Sequence, residues 1–310
     1  MNSEPELKSR SVLAALIAVQ ILFGTLPIIV KLALRDMSAP TLALLRVSGA
    51  AVLFLILQSV FIQERVESIA DYLRLALYGA LGVALNQLFY IISLTLTTAT
   101  AAQTLVTAGP AITLMMAILL KKEQATTAKW LAVALAGSGA LVLVGAGLGE
   151  GKALGNLLAL LNVTSYSTYL VLARGLLRRY DPMTVTTWMF VFGMLGIVPV
   201  GIGSALHEVP GLEPGTWLIV LYIITFPSVG AYYLNSWALA RVESSLVSTF
   251  VYLQPAITAL VAYPVLGEHP SPRLIPGVVL IFAGVAVAIR AARPQVPHLP
   301  TVADQAVVEP

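Results

Sequence analysis

Chemistry needs parts, and the polar residues of this chain offer few of the reactive kind. There is no cysteine, which excludes disulfide scaffolds, thiol catalysis and cysteine metal sites. No HExxH or GxSxG motif occurs, and His207, His269 and His298 fall in expected loops and the tail, so metal and nucleophilic catalysis lack their constellations. The expectation is no enzyme, no cofactor and no metal. Uncharged polar side chains are instead spaced as helical stripes: Asn86, Tyr90 and Ser93; Gln103 and Thr107; Asn162, Tyr166 and Tyr169; Tyr232 and Asn235; Ser248 and Tyr252; and Gln20 with Gly24 and Pro27. Steps of three and four put each set on one helix face. Such amides, hydroxyls and rings either bind a small molecule or join helices by hydrogen bonds averaging about 0.6 kcal/mol. One cation, Arg46, lies in the same apolar surroundings. It either has a structural role, holding carbonyls or snorkelling outward, or attracts a substrate carboxylate, and at a helix centre it costs about 2.5 to 3.5 kcal/mol on insertion scales.

The elements that carry these residues must lie in lipid. Of 310 residues 58% are hydrophobic and only 11% charged, with mean hydropathy +0.89, against about 25% charged in a soluble domain. The expected fold is an all-α polytopic membrane protein of ten transmembrane helices. Charge-free stretches place the spans at Val12 to Val30, Pro40 to Ile62, two within Leu75 to Leu120, then Trp130 to Val144, Leu154 to Ala173, Met183 to Leu206, Thr216 to Ala240, Ser245 to Gly267 and Pro272 to Ile289. The polar, small stretch 95–103 divides the long third run into two helices with a tight connection. Tyr78, Tyr222 and Tyr263 lie nearer span ends, where interfacial tyrosines belong. With a cytoplasmic N-terminus, thirteen Lys and Arg residues fall on the inner side and four (Lys31, Arg35, Lys152, Arg273) on the outer; this bias places both termini in the cytoplasm. The net charge is only +3 and no Lys/Arg run exceeds two, so no nucleic-acid partner is expected.

Residues 98–144 overlay 243–289 at an offset of 145 without a gap, and twelve of 47 positions are identical. The run PAIT recurs at Pro110 and Pro255, as do Glu123 with Glu268 and Gly139 with Gly284. A duplicated unit of five helices is odd, so the second copy is inverted, the architecture of alternating-access transporters. The expected organisation is a cytoplasmic segment 1–11, five-helix repeats at 12–149 and 150–292, and a disordered cytoplasmic tail at 293–310. The prolines inside helices favour kinks; Pro110 and Pro255, at equivalent positions, are either hinges or static bends.

With these residues in place, the chain resembles the EamA-type transporters of the drug/metabolite transporter superfamily. The resemblance rests on LGEHPSPRLIPGVVLIFAGVAVAI (266–289), its counterpart LKKEQATTAKWLAVALAGSGALVLV (120–144), and APTLALLRVSGA (39–50), which contains Arg46. Lys122 stands where the family has Gly in the first of these turns. The resemblance implies a central cavity between spans 1, 3, 4, 6, 8 and 9, which are also the spans with polar stripes. Spans 5 and 10 show small-residue patterns and read as packing helices. Glu123 and Glu268 read as structural, bridging turn amides or nearby cations.

The expected cavity residues are Gln20, Asn86, Tyr90, Gln103, Thr107, Asn162, Tyr166, Tyr232, Asn235, Ser248 and Tyr252, with Arg46 as a charge contact. No Asp or Glu falls in the central part of a span, which disfavours the alternative of proton-coupled efflux of cationic drugs. A neutral cavity beside a cation suits a zwitterion or weak anion with an apolar part, such as an amino acid, and the resemblance implies its export. The implied partners are a small-molecule substrate and a lipid bilayer, as in a bacterial inner membrane; one chain suffices, and a homodimer is an open alternative.

Overall fold

The computed structural model describes residues 10–96, 105–106, 108–124, 126–144, 153–266 and 274–291. Regular structure among them is helical throughout, the arrangement that satisfies backbone groups within each segment in lipid. Helix α1 is Arg10–Ala33 and α2 is Ala39–Phe61. Helix α3, Ile69–Leu96, contains a π-helical turn at Ala80–Leu85. Then come α4 (Gly109–Leu119), α5 (Thr127–Val144), α6 (Ala153–Leu177) and α7 (Pro182–Glu208). Helix α8, Pro214–Leu239, contains a second π turn at Ile224–Gly230. Helix α9 joins Ser244–Thr249, a 3-10 turn at Phe250–Tyr252 and Leu253–Leu266, and α10 is Leu274–Ala291. Six of them, α1, α2, α3, α6, α7 and α8, are long and apolar enough to cross a membrane. Polar side chains such as Gln20 and Asn162 are buried, while Val60, Leu206 and Leu218 are 64%, 68% and 69% exposed.

The third span starts six residues earlier than its charges imply. Ser68 Oγ caps α3 by accepting from the Asp71 amide at 3.1 Å, and Asp71 pairs with Arg74 at 3.0 Å one turn on, so charged residues sit inside the first turns. Tyr78 is likewise no belt residue. It is 6% exposed and donates to the Leu172 carbonyl at 2.9 Å, joining α3 to α6. The connection expected at 95–103 lies outside the described residues except for Thr95 and Leu96, which end α3. The segments 1–9 and 292–310 also lie outside them.

Helix pairing follows a two-fold pattern. Helices α5 and α10 pack together, as do α2 and α7; α6 packs on α3 and α4 as α1 packs on α8 and α9. Helices α2 and α7 run antiparallel, each start held by the other's end. The Ser38 amide before α2 donates to Glu208 at 2.8 Å, and the Asp181 amide before α7 donates to Glu64 at 2.8 Å. Close approach of α3 and α7 depends on glycine: a Cβ at Gly79 would lie 2.6 Å from the Met189 carbonyl, and one at Gly193 2.7 Å from Val83 Cβ.

The π turns obey the same pattern, since a shift of 145 carries 80–85 onto 225–230. A π turn frees carbonyls from the α ladder, and here side chains take them up. In α8, where Pro227 also removes a donor, Ser228 Oγ donates to the Ile223 carbonyl at 2.8 Å. In and beside the α3 turn, the carbonyls of Leu81, Gly82 and Asn86 accept from Ser165 (2.7 Å), Tyr232 (3.2 Å) and Asn162 (2.8 Å). Two irregular turns thus pin α3 to α6 and α8 midway along the molecule.

Candidate binding cavity

A cavity of about 100 Å³ lies at this meeting of helices, comparable with the ~150 Å³ apolar cavity that admits benzene. Its wall comprises Phe23 and Leu26 of α1, Arg46 of α2, Asn86, Gln87 and Tyr90 of α3, Gly109 and Thr113 of α4 with Val106 before it, residues of α6 from Asn162 to Leu170, Tyr232 of α8, and Ser248, Val251 and Gln254 of α9. Arg46 is the single formally charged side chain among them.

Arg46 is 1% exposed. One turn further on, Gly49 lets α2 approach the π turn of α8 so closely that a Cβ would overlap the Ile224 side chain. That approach brings Arg46 Nε to Ser228 Oγ at 2.8 Å, and Nη1 reaches Gln87 Oε1 at 2.6 Å. Both partners are neutral. A guanidinium has five N–H donors, and the remainder have no partner among the described residues, where no carboxylate lies within ion-pair distance of Arg46. A buried cation without a counter-ion costs several kcal/mol, so this site holds charge in waiting.

Around it the polar groups form a continuous network. Gln87 Nε2 donates to Tyr232 Oη at 2.7 Å and to Asn86 Oδ1 at 3.3 Å, and Asn86 Oδ1, 3.2 Å from Tyr232 Oη, is the alternative to the Gly82 carbonyl as acceptor for the one phenolic proton. Asn235 Nδ2 donates to Tyr166 Oη at 3.0 Å. The rings of Phe23 and Tyr166 meet that of Tyr232 edge-on, at 5.8 and 6.3 Å. Thr113 Oγ1 is buried and has no partner among the described residues.

Of the residues read from the stripes, Asn86, Tyr90, Asn162, Tyr166, Tyr232 and Ser248 line the cavity with Arg46. Gln20 stands one side chain back, accepting from Gln254 at 2.7 Å, and Asn235 acts on the wall through Tyr166. Tyr252 is buried but faces Gly137 of α5. Gln103 and Thr107 lie outside the described residues. Pro110 occupies the first turn of α4, where a missing N–H costs no helix bond, rather than its interior. Pro255 follows the 3-10 turn of α9. Gln87, Gln254 and Thr113 were not legible as wall residues, nor was Ser228 as the partner of Arg46 behind the wall. Ser228 lies within a π turn, where α-helical spacing fails, and Gln87 lies one position off the Asn86–Tyr90 stripe.

A second polar cluster closes α4. The helix ends in a Schellman motif, with Lys122 N donating to the Ala117 carbonyl at 2.8 Å and Lys121 N to that of Ile118 at 2.9 Å. Lys121, at φ 53°, takes the left-handed position, so the turn forms one residue before the position where the family's Gly was expected. Glu123 then accepts from Ser244 Oγ (2.5 Å), the Ser245 amide (3.2 Å) and Lys129 Nζ (2.9 Å), and Lys129 also meets Glu243 at 2.9 Å. Burial opposes ionisation of Glu123, but the Ser244 and Ser245 bonds and Lys129 outweigh it and hold the carboxyl below its ordinary value. These contacts match the structural reading of Glu123; Glu268 lies outside the described residues.

The sequence profile of the EamA-like transporter family matches this chain twice, over residues 10–145 and 153–290. The chain belongs to the EamA-like transporter family. It is a multi-pass membrane transporter, not an enzyme. Among similar proteins, an uncharacterized transporter of Archaeoglobus fulgidus is 29% identical over 70% of this chain and 75% of its own. YdfC of Bacillus subtilis, also an uncharacterized transporter, is 28% identical over 74% and 76%. A probable terminal-alkyne amino-acid exporter of Streptantibioticus cattleyicolor is 25% identical over 71% and 74%. A solved crystal structure superposes with a TM-score of 0.73 at 22% identity, covering 91% of this chain and 97% of that one, which shows a shared fold.

Proposed function

We propose that this EamA-family transporter exports small zwitterionic or anionic metabolites, amino acids or relatives with an apolar part, by alternating access. The observation that carries the reading is Arg46, buried at the cavity wall with neutral partners and donors to spare. A substrate carboxylate completes it by charge-assisted hydrogen bonds, while Phe23, Leu26 and the tyrosine rings face the apolar part. The name of the Streptantibioticus relative, a probable amino-acid exporter, agrees with that substrate class. The reading includes ten spans in two inverted repeats, both termini in the cytoplasm, in a bacterial plasma membrane. Antiparallel α2 and α7, the equivalent π turns and the distribution of Lys and Arg support it. Pro110 and Pro255, each near the start of its helix beside a break, serve in it as the hinge pair. The wall is drawn from a single chain, so a monomer is sufficient.

Flux into proteoliposomes tests the reading, with labelled amino acids and a cationic dye, each with and without a pH gradient. Saturable amino-acid flux that is indifferent to pH and lost in Arg46→Gln is the expected result. Gradient-driven movement of the dye without amino-acid flux would replace it with drug/proton antiport.

A further inference from the structure

Gln87 lies one residue off the polar stripe of α3, yet it joins the cavity's cation, Arg46, to the Tyr232 phenol. It is 3% exposed and lines the cavity. Its carbonyl oxygen takes Arg46 Nη1 at 2.6 Å while its amide nitrogen gives to Tyr232 Oη at 2.7 Å. An uncharged amide here has a consequence. A carboxylate of the same length would sit against the guanidinium and neutralise it, as Glu123 does for Lys129 elsewhere in the chain. Gln87 instead fixes the direction of the guanidinium and leaves its charge unspent.

The contact also has a particular place. Gln87 and Tyr232 are separated by 145 residues, the offset of the repeat, so equivalent positions of the two halves touch each other. Such a contact lies on the approximate two-fold axis. When the halves exchange conformations it maps onto itself, whereas contacts away from the axis trade places with their counterparts. Arg46, bonded to one member of this pair, is thereby held beside the axis.

We infer that Gln87 is the positioning residue that sets charge specificity: it holds Arg46 beside the axis and, being neutral, obliges the substrate to bring the negative charge. The inference rests on the carboxylate reading of Arg46 above. Gln87→Glu supplies that charge internally, so the variant discards carboxylates and accepts the same molecules with the carboxyl masked as an amide. Gln87→Met keeps size and apolar shape but removes both hydrogen bonds, so the carboxylate preference survives with weaker binding.

The test uses the purified full chain in proteoliposomes, with flux of labelled amino acids and the corresponding amino-acid amides corrected for empty vesicles. Wild type is expected to prefer acids over amides by about tenfold or more, the equivalent of one charge-assisted hydrogen bond. Gln87→Glu should reverse that preference, and Gln87→Met should raise KM for the acids about tenfold with maximal flux within twofold of wild type. Gln87→Glu that retains the wild-type preference and KM overturns the inference and leaves the Arg46 reading standing. A wild type with no preference for acids, absence of flux included, removes the Arg46 reading and the inference with it. Should Gln87→Glu not survive purification, Gln87→Met decides: a rise in KM alone supports the positioning role, and no change, or a loss of maximal flux at unchanged KM, overturns it.

Discussion

Two buried polar clusters share this molecule and treat charge in opposite ways. Around Glu123 and Lys129, acids and bases neutralise one another, and hydrogen bonds from Ser244 and Ser245 complete the carboxylate. Around Arg46, the partners are an amide and a hydroxyl, and the charge stays open toward the cavity. Completeness marks the first as structure, tying the end of α4 to the starts of α5 and α9. Incompleteness marks the second as a place where a ligand finishes the arrangement. Buried polar groups are normally satisfied, so the exception is more informative than the rule.

Breaking the complete cluster should cost most in stability. Glu123→Ala leaves the buried Ser244 hydroxyl and Ser245 amide without their acceptor while Lys129 keeps Glu243, and is expected to cost about 3 kcal/mol, read as a lower melting temperature and membrane yield, with flux per folded molecule retained. Arg46→Gln should do the reverse. Loss of an interaction worth about 3 kcal/mol, roughly 100-fold in affinity, should appear as lost flux of carboxylate substrates, with a melting temperature equal to wild type or higher. A fall in stability as large as that of Glu123→Ala would erase the distinction between the clusters.

pH sharpens the same contrast. Because the carboxyl of Glu123 ionises below its ordinary value, the stability it adds is complete above the unfolded pKa of about 4.3 and disappears as pH falls through the lowered folded value. The gap in melting temperature between wild type and Glu123→Gln should therefore close on acidification, whereas a gap constant with pH would speak against an ionised carboxylate. At the cavity, alanine at Asn86 or Tyr90, or at Asn235 behind Tyr166, should each lower flux about tenfold, from about 1.4 kcal/mol per lost hydrogen bond or packing contact, without changing expression. Wild-type flux in all three would separate the stripes from transport. The smallest effect belongs to Lys121→Gly, which relieves a left-handed backbone and should stabilise by about 1 kcal/mol.

How far the sequence reveals these clusters depends on helix geometry. Asn86 with Tyr90 and Asn162 with Tyr166 follow α-helical steps, and both pairs reach the cavity. Spacing also placed Tyr252 on a polar stripe, but the 3-10 turn at Phe250–Tyr252 rotates it toward α5. Ser228 escaped because the π turn around it adds a residue per turn, and nothing in its type announces such a turn; Gln87 escaped because it is one position, about 100°, off the Asn86–Tyr90 stripe. The spacing of 145 between the two π turns is legible only once the turns are seen. Charge counting misjudged the start of α3, where Asp71 and Arg74 neutralise each other within the helix.

The reciprocal hold between α2 and α7 bears on how the protein is made. Ser38 receives its carboxylate from Glu208, 170 positions downstream, and Asp181 receives its own from Glu64, 117 positions upstream. A ribosome delivers these parts in order, so α2 is made long before Glu208 exists, and until α7 has been threaded to its last turn the amide before α2 depends on water for an acceptor. The first half of the chain is therefore provisional during synthesis, and it is the arrival of the second half that finishes it.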